Sequence, residues 1–454
     1  MKIFIHGGFV VDPANAVFSK QDVFIDGGKI APLPADPGCA DLVIDAAGKI
    51  VSPGFIDIHM HEDPVKDGRI VLDEETAIFS CMLRMGVTTA VGGNCGENKY
   101  HPADYLDLAD RDGTPCNVAM LAGHEFFRDA AGCTDKYGPT TAQQRAWMAQ
   151  EMEKCLDRGC AGISFGIRYV PGMDAKELVE TAAGCKKYGR MIAAHIRSDA
   201  AEVFDAAREF LDAGVALGVP IQVSHIGSMA GFGQMKEFLT LVDAYRRRHP
   251  RIYCDCYPYA AFSTSIGSTT YDEGWLERYH CGYDVVELSE GKYKGQRCTK
   301  ETFDETRRDF PGCTTVCYVM QQEDVDLAYR HPGVMLASDG VLSGGQGHPR
   351  AAGAFPRLLA AYVRQGKLGL YDAINRMTAM PAAQLGFQNK GRLSIGADAD
   401  LVIFDLENIQ DCASFQQPLL PPTGIDCVLV NGVPAVREGR IINGRAGFSV
   451  RPVK

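Results

Sequence analysis

Through its middle, the chain alternates short apolar runs with longer amphipathic stretches. Eight runs have the length and composition of buried strands, and most are followed by apolar positions at helical spacing. The runs cover residues 54–61, 87–95, 116–124, 161–169, 190–197, 220–227, 251–259 and 333–340. This alternation predicts a (β/α)8 barrel, with a doubly wound sheet as the competing architecture.

One helical stretch shows a termination signal. AAEVFDAAREFLDAG, residues 200–214, closes on a glycine after an amphipathic run. Glycine is favoured just beyond a helix C-terminus, because that position often takes left-handed backbone angles. Gly214 is therefore predicted to cap this helix.

Both ends of the chain have a different pattern, with short strands separated by turns. KIFIHGGFVVDP (2–13) and QDVFIDGGKIAPL (21–33) each break at a Gly-Gly step, which is a hairpin signal. Residues 387–454 continue in the same style. We expect a small β-sandwich domain built from 1–53 and 387–454, which flank a barrel at 54–386. The connection between the last two barrel strands is too long for one helix, so an inserted lid is expected at about 262–320.

Composition narrows the class of protein. The 454 residues carry a formal charge of −11 and no extended basic cluster, which argues against nucleic acid as a partner. No apolar run approaches the length of a membrane span, and the N-terminus lacks the pattern of a signal peptide. The 16 cysteines contain no C-x-x-C pair, so reduced, buried thiols in the cytoplasm are expected.

Metal-binding side chains are concentrated where the predicted barrel strands end. In such barrels the catalytic groups lie at the C-terminal ends of the strands. Five of the 11 histidines fall there, together with one cysteine and one aspartate: His59, His61, Cys95, His124, His195, His225 and Asp339. Imidazole, thiolate and carboxylate groups that converge on one barrel mouth predict a transition-metal site, most naturally zinc.

The spacing of the first pair supports this reading. His59 and His61 are two residues apart, so both imidazoles point to the same face of a strand. Asp339 is placed to bind a metal and to accept a proton from a water whose pKa the metal lowers. His124 is left as a residue that either lines the pocket or has a structural role.

These stretches resemble the amidohydrolase superfamily and, within it, the D-aminoacylase or N-acyl-D-amino-acid deacylase family. The likeness is carried by PGFIDIHMH, GVTTAVGGNCGEN, GISFGIRYVPGM and SDGVLSGGQGHPRAAGAFPR. It implies a (β/α)8 barrel with a β-sandwich from both termini, one or two zinc ions, and hydrolysis of N-acyl-D-amino acids, which are small molecules.

The resemblance also assigns roles to individual residues. It implies that one metal is held by His59, His61 and Asp339, and the other by His195 and His225. Cys95 would bridge them in place of a carboxylated lysine, and no lysine lies within 161–169. Asp339 would activate water and then protonate the departing amine. The further roles implied are a clamp for the substrate carboxylate and two pocket residues, namely Arg350, Tyr257 and Tyr169.

One departure from the family bears on specificity. Relatives usually carry a lysine two residues after the sixth-strand histidine, where this chain has Gly227. Two alternatives stay open at this point. One is a cyclic-amide hydrolase of the hydantoinase or dihydroorotase kind, and the other is a scaffold protein that retained the barrel without catalysis.

Overall fold

The structure, a computed structural model, describes residues 1–73 and 76–453 and contains a barrel of eight parallel strands. The strands follow one another around the sheet in chain order. We number them β1 Phe55–Asp57, β2 Val87–Gly92, β3 Asn117–Gly123, β4 Gly162–Gly166, β5 Met191–His195, β6 Ile221–Val223, β7 Ile252–Cys256 and β8 Val334–Leu336.

The barrel closes through the residues that follow β8 and β1. The backbone N–H of Asp339 donates to the carbonyl of His59 at 2.8 Å, and His61 N–H donates to the carbonyl of Gly340 at 2.9 Å. Closure confirms the barrel and excludes the doubly wound sheet. The eight strands are buried almost throughout, as expected when a parallel sheet is covered on both faces.

Helices surround the barrel and connect its strands. They are Ile78–Arg84, Pro102–Asp112, His124–Ala130, Ala142–Asp157, Ala175–Tyr188, Val203–Leu217, Ile226–Ala230, Met235–Arg246, Gln322–Arg330, Arg350–Arg357, Leu370–Met377 and Ala379–Leu385. The helix that begins at Arg350 continues as a π-helical turn over Leu358–Val363. No helix in the described ranges is long and apolar enough to cross a membrane.

The predicted cap at Gly214 is wrong. The helix runs on to Leu217, and Gly218 takes the left-handed cap conformation with φ of 71°. Gly214 lies inside the helix. A glycine is needed there because a Cβ would come within 2.4 Å of Ile221 Cδ1 on β6. That glycine therefore allows close packing of the helix on the barrel.

Strands from both ends of the chain form two further sheets. One contains Lys2–His6, Val23–Asp26, Lys29–Ala31 and Leu42–Asp45. The other contains Phe9–Asp12, Val17–Lys20, Ile50–Pro53, Leu401–Phe404, Ile425–Val430, Val433–Arg437 and Arg440–Ile441. A shared apolar core, which includes Ile5, Ile25, Val51 and Leu401, lies between them. The domain boundaries at residues 53 and 386 stay a prediction.

Only one of the two Gly-Gly steps makes a hairpin. Gly27 and Gly28 join Val23–Asp26 to its antiparallel neighbour Lys29–Ala31, as predicted. The hairpin predicted at Gly7 and Gly8 is wrong, because the chain crosses there from one sheet to the other.

The long connection after β7 forms a small antiparallel sheet of its own. Its strands Phe262–Ser265 and Val286–Leu288 pair with the central strand Thr314–Cys317. Helices Trp275–Tyr279 and Lys300–Asp309 pack beside it, with ring contacts that join Trp275 and Phe303. The shorter elements are 3-10 turns at Pro13–Asn15, Pro37–Cys39, Ala200–Glu202, Thr269–Tyr271 and Tyr283–Val285, and hairpins of Val65–Lys66 with Arg69–Ile70 and Leu342–Ser343 with Gln346–Gly347.

Candidate metal centre

The structure brings all six predicted ligands together at the mouth of the barrel. Each comes from the end of a different strand or from the residues just after it, apart from the pair that follows β1. They form three overlapping groups whose ligand atoms lie within 4.8 Å of one another. The groups are His59, His61 and Cys95; Cys95, His195 and His225; and His59, His225 and Asp339.

Cys95 occupies the shared position in this cluster. Its Sγ is 3.4 Å from His59 Nε2 and 3.4 Å from His225 Nε2. Asp339 Oδ1 lies on the β1 side, 3.4 Å from His59 Nε2 and 3.3 Å from His61 Nε2. Nitrogen, sulfur and oxygen donors in this layout suit one or two borderline transition-metal ions.

Three of the six residues have strained backbones. Cys95, His225 and Asp339 have φ angles of 53°, 33° and 48°, in the left-handed region that non-glycine residues rarely adopt. Such conformations persist where the surrounding structure imposes them, and they cluster at functional sites. Here they occur where the chain leaves β2, β6 and β8.

A buried carboxylate on β7 supports the imidazole of His59 and the backbone of His225. Asp255 Oδ2 is 3.4 Å from His59 Nδ1, and its Oδ1 accepts a 2.7 Å hydrogen bond from the backbone N–H of His225. Gln222 on β6 donates to the same carboxylate at 2.7 Å. Sequence reasoning missed Asp255. The available signal was an acidic residue inside the apolar run RIYCDCYPY, where a buried charge requires partners.

We expect Asp255→Asn to weaken metal binding without removing a ligand. The loss of an outer carboxylate partner typically lowers metal affinity by about 10- to 100-fold, because the imidazole is then less basic and less well oriented. Competition with a chelator of known affinity measures this change. Asp243→Asn, at a half-exposed carboxylate on an outer helix, is the control and should retain wild-type affinity. Equal affinities in the two variants would contradict the supporting role.

The cluster packs opposite charges closely together. Burial lowers the pKa of His59 and His61, but the neighbouring acidic groups raise both, that of His61 to about 9. Burial raises the pKa of the Cys95 thiol, but His59 and His225 together hold it well below its usual range. Burial likewise raises the pKa of Asp339, while Arg350 and His59 pull it well below the ordinary value. The pKa of His195 falls to about 4, mainly through burial and then through His225, so this imidazole is neutral as a metal ligand must be.

A cavity of about 580 Å³ opens directly onto the cluster. Its walls include His61, Cys95 and Asp339 on one side and Ser263, Thr264 and Ser265 of the inserted segment on the other. A smaller recess of about 20 Å³ lies next to it, between β4 to β7 and the inserted segment. The site is therefore open to a ligand larger than its reacting group.

The predicted substrate residues line this space. Arg350 is buried, with Nη1 2.8 Å from Asp339 Oδ2 and its guanidinium carbon 4.5 Å from the centre of the Tyr257 ring. Tyr169 lies edge-to-face on His195, with ring centres 4.6 Å apart. These positions place a cation and two aromatic rings within reach of a bound molecule.

His124 takes the structural one of its two expected roles, and Ser263 is a pocket residue that sequence reasoning missed. His124 is away from the cluster and contacts Glu177 Oε1 at 2.9 Å, which is a structural role. Ser263 lines both cavities, and its buried Oγ has no hydrogen-bond partner among the described residues. An unpaired buried hydroxyl in a pocket is available to a bound ligand.

The space beside Gly227 is filled by other side chains. A Cβ at this position would lie 3.1 Å from Cys256 Sγ and 3.1 Å from Met320 Cε. Gly227 therefore contributes no cation to the pocket, and its neighbours are apolar.

A closed (β/α)8 barrel with His-x-His after β1, histidines at β5 and β6 and aspartate after β8 defines a metal-dependent amidohydrolase. The model of the amidohydrolase family Amidohydro_3 matches residues 322–436. N-acyl-D-glutamate deacylase of Alcaligenes xylosoxydans xylosoxydans is 31% identical over 100% of this chain and 98% of its own length. This chain belongs to the D-aminoacylase and N-acyl-D-amino-acid deacylase family.

Solved structures agree with this assignment. The N-acyl-D-glutamate deacylase of Bordetella bronchiseptica, complexed with zinc and a phosphonate inhibitor, is 30% identical with a TM-score of 0.87 and 99% coverage of both chains. A D-aminoacylase described as having a binuclear metal centre is 27% identical, with the same TM-score and coverage. The D-hydantoinase of Ralstonia pickettii is more distant, at 26% identity over 90% of this chain and 87% of its own length.

Proposed function

We propose that this chain is a zinc-dependent deacylase that hydrolyses N-acyl-D-amino acids to a D-amino acid and a carboxylate. The observation that carries this proposal is the thiol of Cys95 between His59 and His225, with Asp339 and Arg350 facing the same cavity. The sixteen free cysteines fit a reducing compartment, and we propose the cytoplasm.

The residues present fit zinc in either of two positions. His59, His61 and Asp339 would hold one ion, His195 and His225 would hold the other, and Cys95 would be shared. Bound zinc supplies Lewis acidity, which lowers the pKa of water and polarises a carbonyl group. The fit rests on the donor atoms and on the anionic character of the thiol and the Asp339 carboxylate.

Asp339 is the proposed proton carrier. Its carboxylate is held ionised beside Arg350, so it can accept the proton of the attacking water and deliver it to the amide nitrogen. Delivery of that proton turns the nitrogen into a neutral amine leaving group, and the C–N bond breaks.

Arg350 is the proposed clamp for the substrate α-carboxylate, with Tyr257 beneath it and Ser263 beside it. A guanidinium offers parallel donors that match a carboxylate, and the Nε of Arg350 has no hydrogen-bond partner among the described residues. Tyr169 is proposed to line the pocket against His195.

Arg350→Ala is expected to raise KM for N-acyl-D-amino acids by about 10- to 100-fold, because a charge-assisted hydrogen bond contributes roughly 1.5–3 kcal/mol. Steady-state kinetics on the substrate and on its α-carboxamide form a double comparison. In the wild type, KM should be higher for the carboxamide than for the carboxylate substrate. In Arg350→Ala, the two KM values should be nearly equal. If the carboxamide raised KM in the variant as much as in the wild type, the clamp would lie elsewhere.

A substrate panel tests the proposed function directly. Zinc-loaded protein is assayed on N-acetyl-D-amino acids, their L-enantiomers, hydantoins and dihydroorotate. We expect turnover of the D-compounds. Turnover of the cyclic amides alone would overturn the proposal, and less than one zinc ion per chain with no activity after zinc addition would indicate a non-catalytic scaffold.

A further inference from the structure

The inserted segment places a free strand edge inside the active-site cavity. Phe262–Ser265 pairs with Thr314–Cys317 on one side only, and no second strand pairs with it in residues 1–73 and 76–453. Ser263 and Thr264 of this strand line the cavity together with His225, Asp339 and Arg350. A free edge is a template for pairing with another extended chain.

The hydrogen-bond pattern shows which groups point outward. Thr314 accepts a 3.0 Å bond from Ser289 N–H, and Tyr318 N–H donates to Val285, so these positions face the strand Val286–Leu288. Cys313 instead accepts a 2.8 Å bond from Ile266 N–H. Backbone groups alternate in direction along an antiparallel strand. In the edge strand, the backbone groups that point toward Thr314–Cys317 are therefore those of Phe262 and Thr264.

The backbone N–H and C=O groups of Ser263 and Ser265 then point away from the neighbouring strand. The carbonyl of Ser265 accepts a 3.0 Å hydrogen bond from the N–H of Ser268. The N–H and C=O of Ser263 and the N–H of Ser265 have no hydrogen-bond partner among the described residues. These three backbone groups are positioned to pair with an extended peptide.

The edge strand leads from the small recess into the larger cavity. Ser263 and Thr264 line both the inner recess and the outer cavity, whereas Ser265 lines only the outer one. Phe262 lines only the recess, so the edge runs from the recess outward into the larger cavity, and Arg350 lines both spaces. An acetyl group has about the size of two water molecules and would leave most of the 580 Å³ cavity unfilled.

We propose that the acyl part of the preferred substrate is a peptide, so that the enzyme releases a C-terminal D-amino acid from peptides. This inference rests on the proposed function. Water adds to the carbonyl carbon of the last peptide bond, the C–N bond breaks, and the amine takes the proton. The products are a D-amino acid and a peptide one residue shorter.

The walls of the outer cavity support a peptide over an alkyl chain. Ser268, Thr269, Thr314 and Ser343 add hydroxyl-bearing side chains around the edge strand. An alkyl chain would leave the free backbone groups of Ser263 unpaired and remove them from water, which is unfavourable. A peptide satisfies them with its own amides.

The test compares acyl groups on one D-residue, the best of the N-acetyl-D-amino-acid panel. We expect kcat/KM for acetyl-Gly-Gly-D-Xaa to exceed that for N-acetyl-D-Xaa by about 10- to 30-fold, from two added backbone hydrogen bonds of about 1 kcal/mol each. N-octanoyl-D-Xaa, with a chain of similar length and no amides, should stay well below the peptide. Sarcosine, which lacks the amide N–H, then replaces each glycine in turn. At one of the two positions this replacement should remove most of the gain in kcat/KM.

A matched pair of variants tests the strand edge itself. Ser265→Pro removes an outward N–H, whereas Ser265→Ala keeps it. The ratio of kcat/KM between the peptide and N-acetyl-D-Xaa should fall several-fold in the first variant and stay near wild type in the second. Should the proline variant fail to fold, the sarcosine series on the wild-type chain still decides.

The outcomes separate this inference from the proposed function. Hydrolysis of N-acetyl-D-Xaa with no gain for the peptide, or with the octanoyl compound preferred, overturns the inference and leaves the deacylase function standing. A gain that persists in every sarcosine peptide also overturns it. No hydrolysis of either D-compound overturns both.

Discussion

Asp339→Asn is expected to lower kcat by about 10³-fold, the range over which a positioned proton-transfer group contributes. Asparagine has nearly the same shape as aspartate but cannot accept and deliver the proton. In the structure the carboxylate lies 2.8 Å from Arg350 Nη1 and 3.3 Å from His61 Nε2. Burial raises the pKa of this carboxyl group, but Arg350 helps hold it well below the usual range, so the group is ionised at neutral pH, as a proton acceptor must be.

The measurement is kcat together with zinc content, because Asp339 is also a proposed ligand. Asp324→Asn is the control. Asp324 is a buried carboxylate that accepts from Gly233 N–H outside the cluster, and its replacement should leave kcat near wild type. An Asp339→Asn protein with full zinc and more than about a tenth of the normal kcat would show that another group carries the proton.

Cys95→Ala is expected to have the largest effect on metal content. Its thiol belongs to two of the three ligand groups, so its removal weakens both proposed positions at once. We expect zinc affinity to fall by more than about 100-fold, since the loss of an outer partner alone can reach that value. Turnover should fall with it.

Equilibrium dialysis against buffered zinc measures the loss. Cys254→Ala is the matched control, because Cys254 is equally buried on β7 but lies outside the cluster. The control should keep wild-type zinc binding and activity. Unchanged zinc binding in Cys95→Ala would show that the histidines and Asp339 hold the metal without the thiol.

The barrel could be predicted from sequence because its signal is local and repeated. All eight predicted runs contain a strand, as in 54–61, which contains Phe55–Asp57. The predicted runs extend beyond the C-terminal ends of the strands, because the residues there leave the β-ladder and line the mouth of the barrel. Cys95, His225 and Asp339 do so through left-handed backbone angles, which hydrophobic periodicity does not reveal.

The candidate ligands could be found for a similar reason: they are chemically distinctive residues at predicted strand ends. Their supporting residues could not be found in this way. Asp255 acts through His59 and His225, which come from other strands, so its role depends on tertiary distances. The hairpin prediction at Gly7 failed likewise, because the choice between pairing and crossing to another sheet depends on the whole core.

Gly227 sets a constraint on how this pocket can change by mutation. In the family it resembles, a lysine usually stands there, yet here Cys256 and Met320 fill the adjoining space. A lysine at this position would bring its Cβ within 3.1 Å of both side chains, so Cys256 and Met320 would have to shift to admit it. A cation at this position is therefore coupled to the packing of Cys256 and Met320.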